Sequence, residues 1–122
     1  MLLKGSSATN VFAEGLKQSG ILCEQEIVYK VLPFIPSSEL KNRALRLLKD
    51  NDVSLSVCAT SSFALRSFVD QFEVEPFEIT QLPVCVIGPK TAQTAKILGF
   101  SKYFQAKKAN VESLAKLFDE LL

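Results

Sequence analysis

The sequence predicts an α/β fold, a single domain of about five parallel strands with helices on both faces. Two observations carry this. Short apolar runs alternate about five times with stretches of helical spacing, and the links between them are short. The chain has 122 residues, 48% of them hydrophobic and 22% charged, which is enough for one core and too little for two.

The elements follow in order. The run "LLK" reads as a first strand ending at Gly5. Helical spacing through Val11, Phe12 and Leu16 stops at Gly20, a residue suited to the left-handed turn that ends helices. "ILCEQEIVYKVL" predicts the second strand, and Pro33 and Pro36 then break the chain, marking residues 32–38 as a possible hinge. Ser37 or Ser38 can cap a helix that carries Leu40, Ala44, Leu45, Leu47 and Leu48 on one side. Asp50-Asn51-Asp52 reads as its terminating turn. "SLSVCA" predicts strand three, and Ser61 and Ser62 open a helix with Leu65, Phe68, Val69 and Phe72. The acidic stretch "QFEVEPFEITQLP" reads as a surface loop before strand four, "PVCVI". A helix from Thr91 to Leu98, a short strand "KYFQ" and a final helix capped by Asn110 complete the chain, the last with Val111, Leu114, Leu117, Phe118 and Leu121 on one face. The simplest five-stranded solution is the flavodoxin-like order 2-1-3-4-5.

Composition excludes several functions. Fourteen basic and thirteen acidic residues leave a net charge of +1, so no overall field draws nucleic acid or a membrane. The apolar runs are short of a membrane span and the start resembles no secretion signal, so the expected location is cytoplasmic. Cys23, Cys58 and Cys85 are read as reduced thiols packed as small hydrophobes. With no histidine, Ser-His-Asp and Cys-His catalysis and His-based zinc sites are ruled out; no metal or cofactor is indicated. "GSSATN" lacks the second glycine and lysine of a Walker loop, and strand three ends in Ala59-Thr60 where a phosphoacceptor domain needs an aspartate.

What remains is one edge of the expected sheet. Ligands of such folds bind beyond the carboxyl ends of the strands. The loops there are Lys4-Gly5-Ser6-Ser7, Thr60-Ser61-Ser62 and Gly88-Pro89-Lys90-Thr91, each small, hydroxylated or cationic and each before a helix. Helix N-termini offer unpaired N–H groups and positive potential, so the candidate ligand is an anion held by Gly5, Ser6, Ser7, Thr60, Ser61, Ser62, Gly88, Lys90 and Thr91. The same hydroxyls also fit plain helix caps, and Lys90 and the Lys107-Lys108 pair fit solvated charges.

Three ordered motifs are similar to those of uroporphyrinogen-III synthases. "LLKGSSATNVFAEGLKQSGILCEQEIVYKV" resembles the stretch that begins that family's second half, through Lys4-Gly5, Gly20 and Tyr29. "ATSSFALRSF" resembles a Thr-Ser-x-x-Ala signature through Thr60, Ser61 and Ala64, and "VIGPKTAQTAKILGF" an Ile-Gly-x-x-Thr-Ala…Leu-Gly signature through Gly88, Thr91, Ala92 and Gly99. "ANVESLAKLF" resembles the closing helix. Lys4 stands where the family commonly has arginine, and "SSATN" lacks a further arginine usual there.

The resemblance implies a lyase of porphyrin and haem biosynthesis that closes hydroxymethylbilane, a linear tetrapyrrole with eight carboxylates, while inverting ring D and losing water. It implies Tyr29 as proton donor to the leaving hydroxyl, and Ser61 and Thr91 as carboxylate ligands. Family members have about twice this length and two α/β domains with the substrate between them, so this chain matches the second half. A half-length chain would be a non-catalytic anion-binding relative or fragment, or would rebuild a cleft as a homodimer by exchanging its first β-α-β unit through the Pro33–Pro36 hinge.

Overall fold

The computed structural model describes residues 1–6, 8–50, 54–72 and 79–121. Strands and helices alternate along the chain: β1 (Leu2–Gly5), α1 (Val11–Gln18), β2 (Gln25–Tyr29), α2 (Ser38–Lys49), β3 (Val57–Ala59), α3 (Ser62–Phe72), β4 (Val84–Val86), α4 (Pro89–Ile97), β5 (Tyr103–Gln105) and α5 (Val111–Leu121). Every strand pairing is parallel. The α/β class read from the sequence is what the chain adopts.

The single five-stranded sheet is not what the described residues form. β1 pairs with β2 in one sheet, and β3-β4-β5 make a second, with β4 in the middle. These are the two ends of the order 2-1-3-4-5 without a β1–β3 ladder. The chain divides into two compact units, Met1–Pro33 and Phe34–Leu122.

In the first unit the β1 ladder runs Leu2↔Gln25, Leu3↔Glu26, Lys4↔Ile27, then slips to Gly5↔Tyr29. β2 is shorter than its apolar run because a strand extends only as far as its partner, and β1 ends at Gly5. At the other end the Ile21 N–H returns to Leu16 O at 2.9 Å, keeping that residue with the end of α1. Gly20, at φ 77°, supplies the left-handed turn there that a side chain would strain. All five β2 residues are exposed, and Ala13 is the buried apolar residue among those described in this unit. Two strands and one helix do not bury enough surface to stand alone.

The second unit has a layered core. β4 is wholly buried, as a central parallel strand covered on both faces must be. Alternate residues point to opposite faces. Ala59, Val84 and Val86 pack with Leu65, Ala92, Ala95 and Phe100, so α3 and α4 cover one side. Cys85 packs with Ala106 and Leu114, flanked by Ile87, Leu117 and Phe118, so α5 covers the other. Burial of Leu65, 1% exposed, is worth about 1.5–3 kcal/mol. Small residues on α4, notably Ala92, Thr94 and Ala95, let that helix approach the sheet closely. Gly99, at φ 92°, ends it, with Phe100 N–H bonded to Ala95 O at 3.1 Å.

Of the three cysteines, Cys85 is the core residue expected; Cys23 is half-buried and Cys58 is exposed, because β3 is an edge strand. The described end of the expected acidic loop is a 3-10 turn, Ile79–Gln81, anchored by buried Ile79. Residues 73–78 of that loop, and Asn51 and Asp52 of the expected helix-ending turn, lie outside the described residues. None of the described helices is long and apolar enough to cross a membrane.

Candidate functional site

The carboxyl ends of β3, β4 and β5 each lead into a helix, so the N-termini of α3, α4 and α5 gather at one edge of the second unit's sheet. Parallel β-α connectivity imposes this, since every strand must exit on the same side. The α4 mouth opens directly from β4. Gly88 is its N-cap and Pro89 its first residue, and the first intrahelical bond is Ala92 N–H to Gly88 O at 3.0 Å. The N–H groups of Lys90 and Thr91 precede that bond and point out of the helix end. Lys90 is exposed, whereas Thr91 is 5% exposed.

The hydroxyls of α3 are otherwise engaged. Ser61 Oγ accepts the Ala64 N–H at 3.0 Å, an N-cap bond. Thr94 Oγ1, on a residue 4% exposed, donates to Ser62 Oγ at 2.9 Å, and Ser62 Oγ donates on to Lys90 O at 3.3 Å. Thr94 Oγ1 also lies 3.1 Å from Lys90 O. Ser62 thus ties the start of α3 to the first turn of α4. Thr60, at the end of β3, is exposed.

Sequence reading took Lys107-Lys108 as a solvated pair. Both are exposed, but the segment that carries them adjoins the α4 mouth: a Cβ placed on Gly88 would lie 3.9 Å from Ala109 Cβ. Asn110 Oδ1 accepts the Ser113 N–H at 2.8 Å, and Ser113 Oγ accepts the Lys108 N–H at 3.1 Å, so the segment is fixed against the start of α5. The signal was available, because "KKAN" before a helix after a strand repeats the pattern of the other loops. Among the described residues, Lys90, Lys107 and Lys108 stand at this edge with one carboxylate, Glu112 in the first turn of α5, which Lys116 pairs at 3.1 Å, so the edge is net cationic although the chain is near neutral.

The remaining predicted residues belong to the first unit. Lys4 Nζ donates to Asn10 Oδ1 at 2.6 Å and to Gln25 Oε1 at 2.9 Å, both neutral. Ser6 N–H bonds to Tyr29 O at 2.9 Å, and Ser6 Oγ accepts the Val31 N–H at 3.3 Å. Tyr29 closes β2 with its ring over Gly5; a Cβ on Gly5 would come within 2.5 Å of Tyr29 Cε2 and Cζ and 2.8 Å of its hydroxyl. A side chain at Gly5 would have to push the exposed end of Tyr29 aside. Tyr29 is 59% exposed, leaving its hydroxyl available. Ser7 lies outside the described residues. The predicted positions therefore form two groups, Gly5, Ser6 and Tyr29 on one unit and Thr60–Ser62 with Gly88–Thr91 on the other.

The family model for uroporphyrinogen-III synthase HemD matches residues 1–116, nearly the whole chain and all of these loops. The chain belongs to the uroporphyrinogen-III synthase family. No curated protein matches it. Membership implies a tetrapyrrole substrate.

Proposed function

We propose that the chain binds hydroxymethylbilane through its carboxylates and takes part in its closure to the ring-D-inverted macrocycle with loss of water, in the cytoplasm. The observation that carries this reading is the edge where three helix N-termini meet Lys90, Lys107 and Lys108, within a chain matched to the family over residues 1–116. Carboxylates there accept the Lys90 and Thr91 N–H groups, the Thr91 hydroxyl and the lysine ammonium groups. The Tyr29 phenol gives its proton to the terminal hydroxyl, which leaves as water. The resulting azafulvene attacks the substituted carbon of ring D, and the spiro intermediate rearranges and closes. Spontaneous closure gives the uninverted isomer, so the protein's contribution is to hold one folded conformer and stabilise its cation.

The flavodoxin-like order would join β1 to β3, within one chain or between two copies that exchange the first β-α-β unit. A second reading, a binding relative without turnover, is favoured by Lys4 and by "SSATN", which stand where the family commonly carries arginines. Titration with uroporphyrin, the oxidised cyclic product with the same eight carboxylates, tests the site itself. Lys90→Met and Lys108→Met should each weaken binding about two- to fivefold, the size expected of exposed ion pairs. Unchanged affinity in both variants would place the carboxylates elsewhere.

A further inference from the structure

Cys58 and Cys85 are direct register partners on the adjacent parallel strands β3 and β4. Neighbouring strands lie about 4.8 Å apart, inside the span of roughly 4.4–6.8 Å between Cα atoms that a disulfide bridges. Both side chains leave the same face. Their neighbours Ala59, Val84 and Val86 pack toward α3 and α4, and Cys85 packs on the other side with Ala106 and Leu114. One thiol is accessible and the other is not. Cys58 is exposed, while Cys85 is fully buried.

We propose that Cys58 and Cys85 form a dithiol modification site that a two-electron oxidant of the peroxide class closes to a disulfide. The Cys58 thiolate attacks one oxygen of hydrogen peroxide; the O–O bond breaks and hydroxide leaves, giving a sulfenic acid on Cys58. Cys85 sulfur then attacks Cys58 sulfur, the S–O bond breaks, and the hydroxyl departs with the Cys85 proton as water. Two thiols and one peroxide become one disulfide and two waters, each sulfur losing one electron. The order of events follows from access, and burial, then the adjacent Cys58, holds the Cys85 thiol above its ordinary pKa, which makes it the resolving and not the attacking sulfur. The bond would pin β3 to β4 just before the Thr60–Ser62 and Gly88–Thr91 loops, so the oxidation state bears on the cationic edge.

The test uses the full chain with Cys23→Ser, which removes the third thiol. The reduced protein is treated with hydrogen peroxide, alkylated and digested with trypsin, which separates Asp50–Arg66, holding Cys58, from Ser67–Lys90, holding Cys85. Expected is joint loss of both alkylatable thiols and a linked peptide pair lighter by two hydrogen atoms, restored to separate peptides by dithiothreitol. Adding Cys58→Ser, an exposed and fold-neutral change checked by circular dichroism, should leave Cys85 fully alkylated after unfolding. Cys58 advancing to the sulfinic acid while Cys85 stays a thiol would overturn the proposal. So would a link that forms in denaturant and not in the folded chain.

Discussion

Replacing Ser62 by alanine and Thr94 by valine, singly and together, probes the hydroxyl relay that joins α3 to α4. Thr94→Val keeps the shape of a buried side chain and removes its donor; Ser62→Ala removes the acceptor and the onward donor to Lys90 O. A hydrogen bond of this kind contributes about 1 kcal/mol net, and a buried partner left without one costs about 1–3 kcal/mol. Each single variant should therefore lose about 1–2 kcal/mol. The double variant should lose less than their sum by about 1 kcal/mol, because the shared bond can be removed once only. Urea unfolding followed by circular dichroism gives the three differences, and each kcal/mol corresponds to about 4–8 °C in Tm for a unit of this size. Additivity within about 0.3 kcal/mol would show that the relay does not couple the helices, and the case for a fixed α4 mouth would lose its main support.

Three further outcomes are expected. Thr91→Val, a near-isosteric change at a residue 5% exposed, should leave Tm unchanged and weaken uroporphyrin binding roughly tenfold, the worth of a hydrogen bond to a charged acceptor; unchanged affinity removes the role of that hydroxyl. Gly5→Ala should force the Tyr29 ring from its place, read as altered Tyr29 absorbance and NMR shifts with a modest loss of stability; an unmoved ring contradicts the contact. Because burial raises the Cys85 pKa, the folded chain keeps that proton to higher pH than the unfolded chain. Its contribution is thus complete below the ordinary thiol range and lost as pH rises through it, so stability should fall less steeply at alkaline pH in Cys85→Ala than in the parent. Identical slopes would refute the linkage.

The helices were legible because their signals are local. Gly20 and Gly99 mark helix ends, Ser37 caps α2 through the Leu40 N–H, and Asn110 caps α5. Strand pairing is not local, and there the reading failed in part. The sequence "ILCEQEIVYKVL" says nothing of how long its partner is, so β2 was overextended, and nothing in it specifies whether β1 meets β3. The start of α4 was visible from Gly88 and Pro89, since a glycine followed by proline opens a helix readily. The engagement of Ser62 was not, because it depends on Thr94, thirty-two positions away in sequence. Lys107 and Lys108 are exposed, as a solvated pair should be, but that their segment lies beside Gly88 depends on neighbours in space.

Turnover decides whether this chain orders a linear tetrapyrrole for inverted closure. The most direct measurement generates hydroxymethylbilane in place with its upstream synthase, adds the chain across a range of concentrations, oxidises the products and separates the porphyrin isomers. Type III is expected in excess of a control without the chain, rising more than linearly with concentration if two copies build the site. Type I alone at every concentration, with uroporphyrin still bound, would contradict turnover and leave a binding relative of the family.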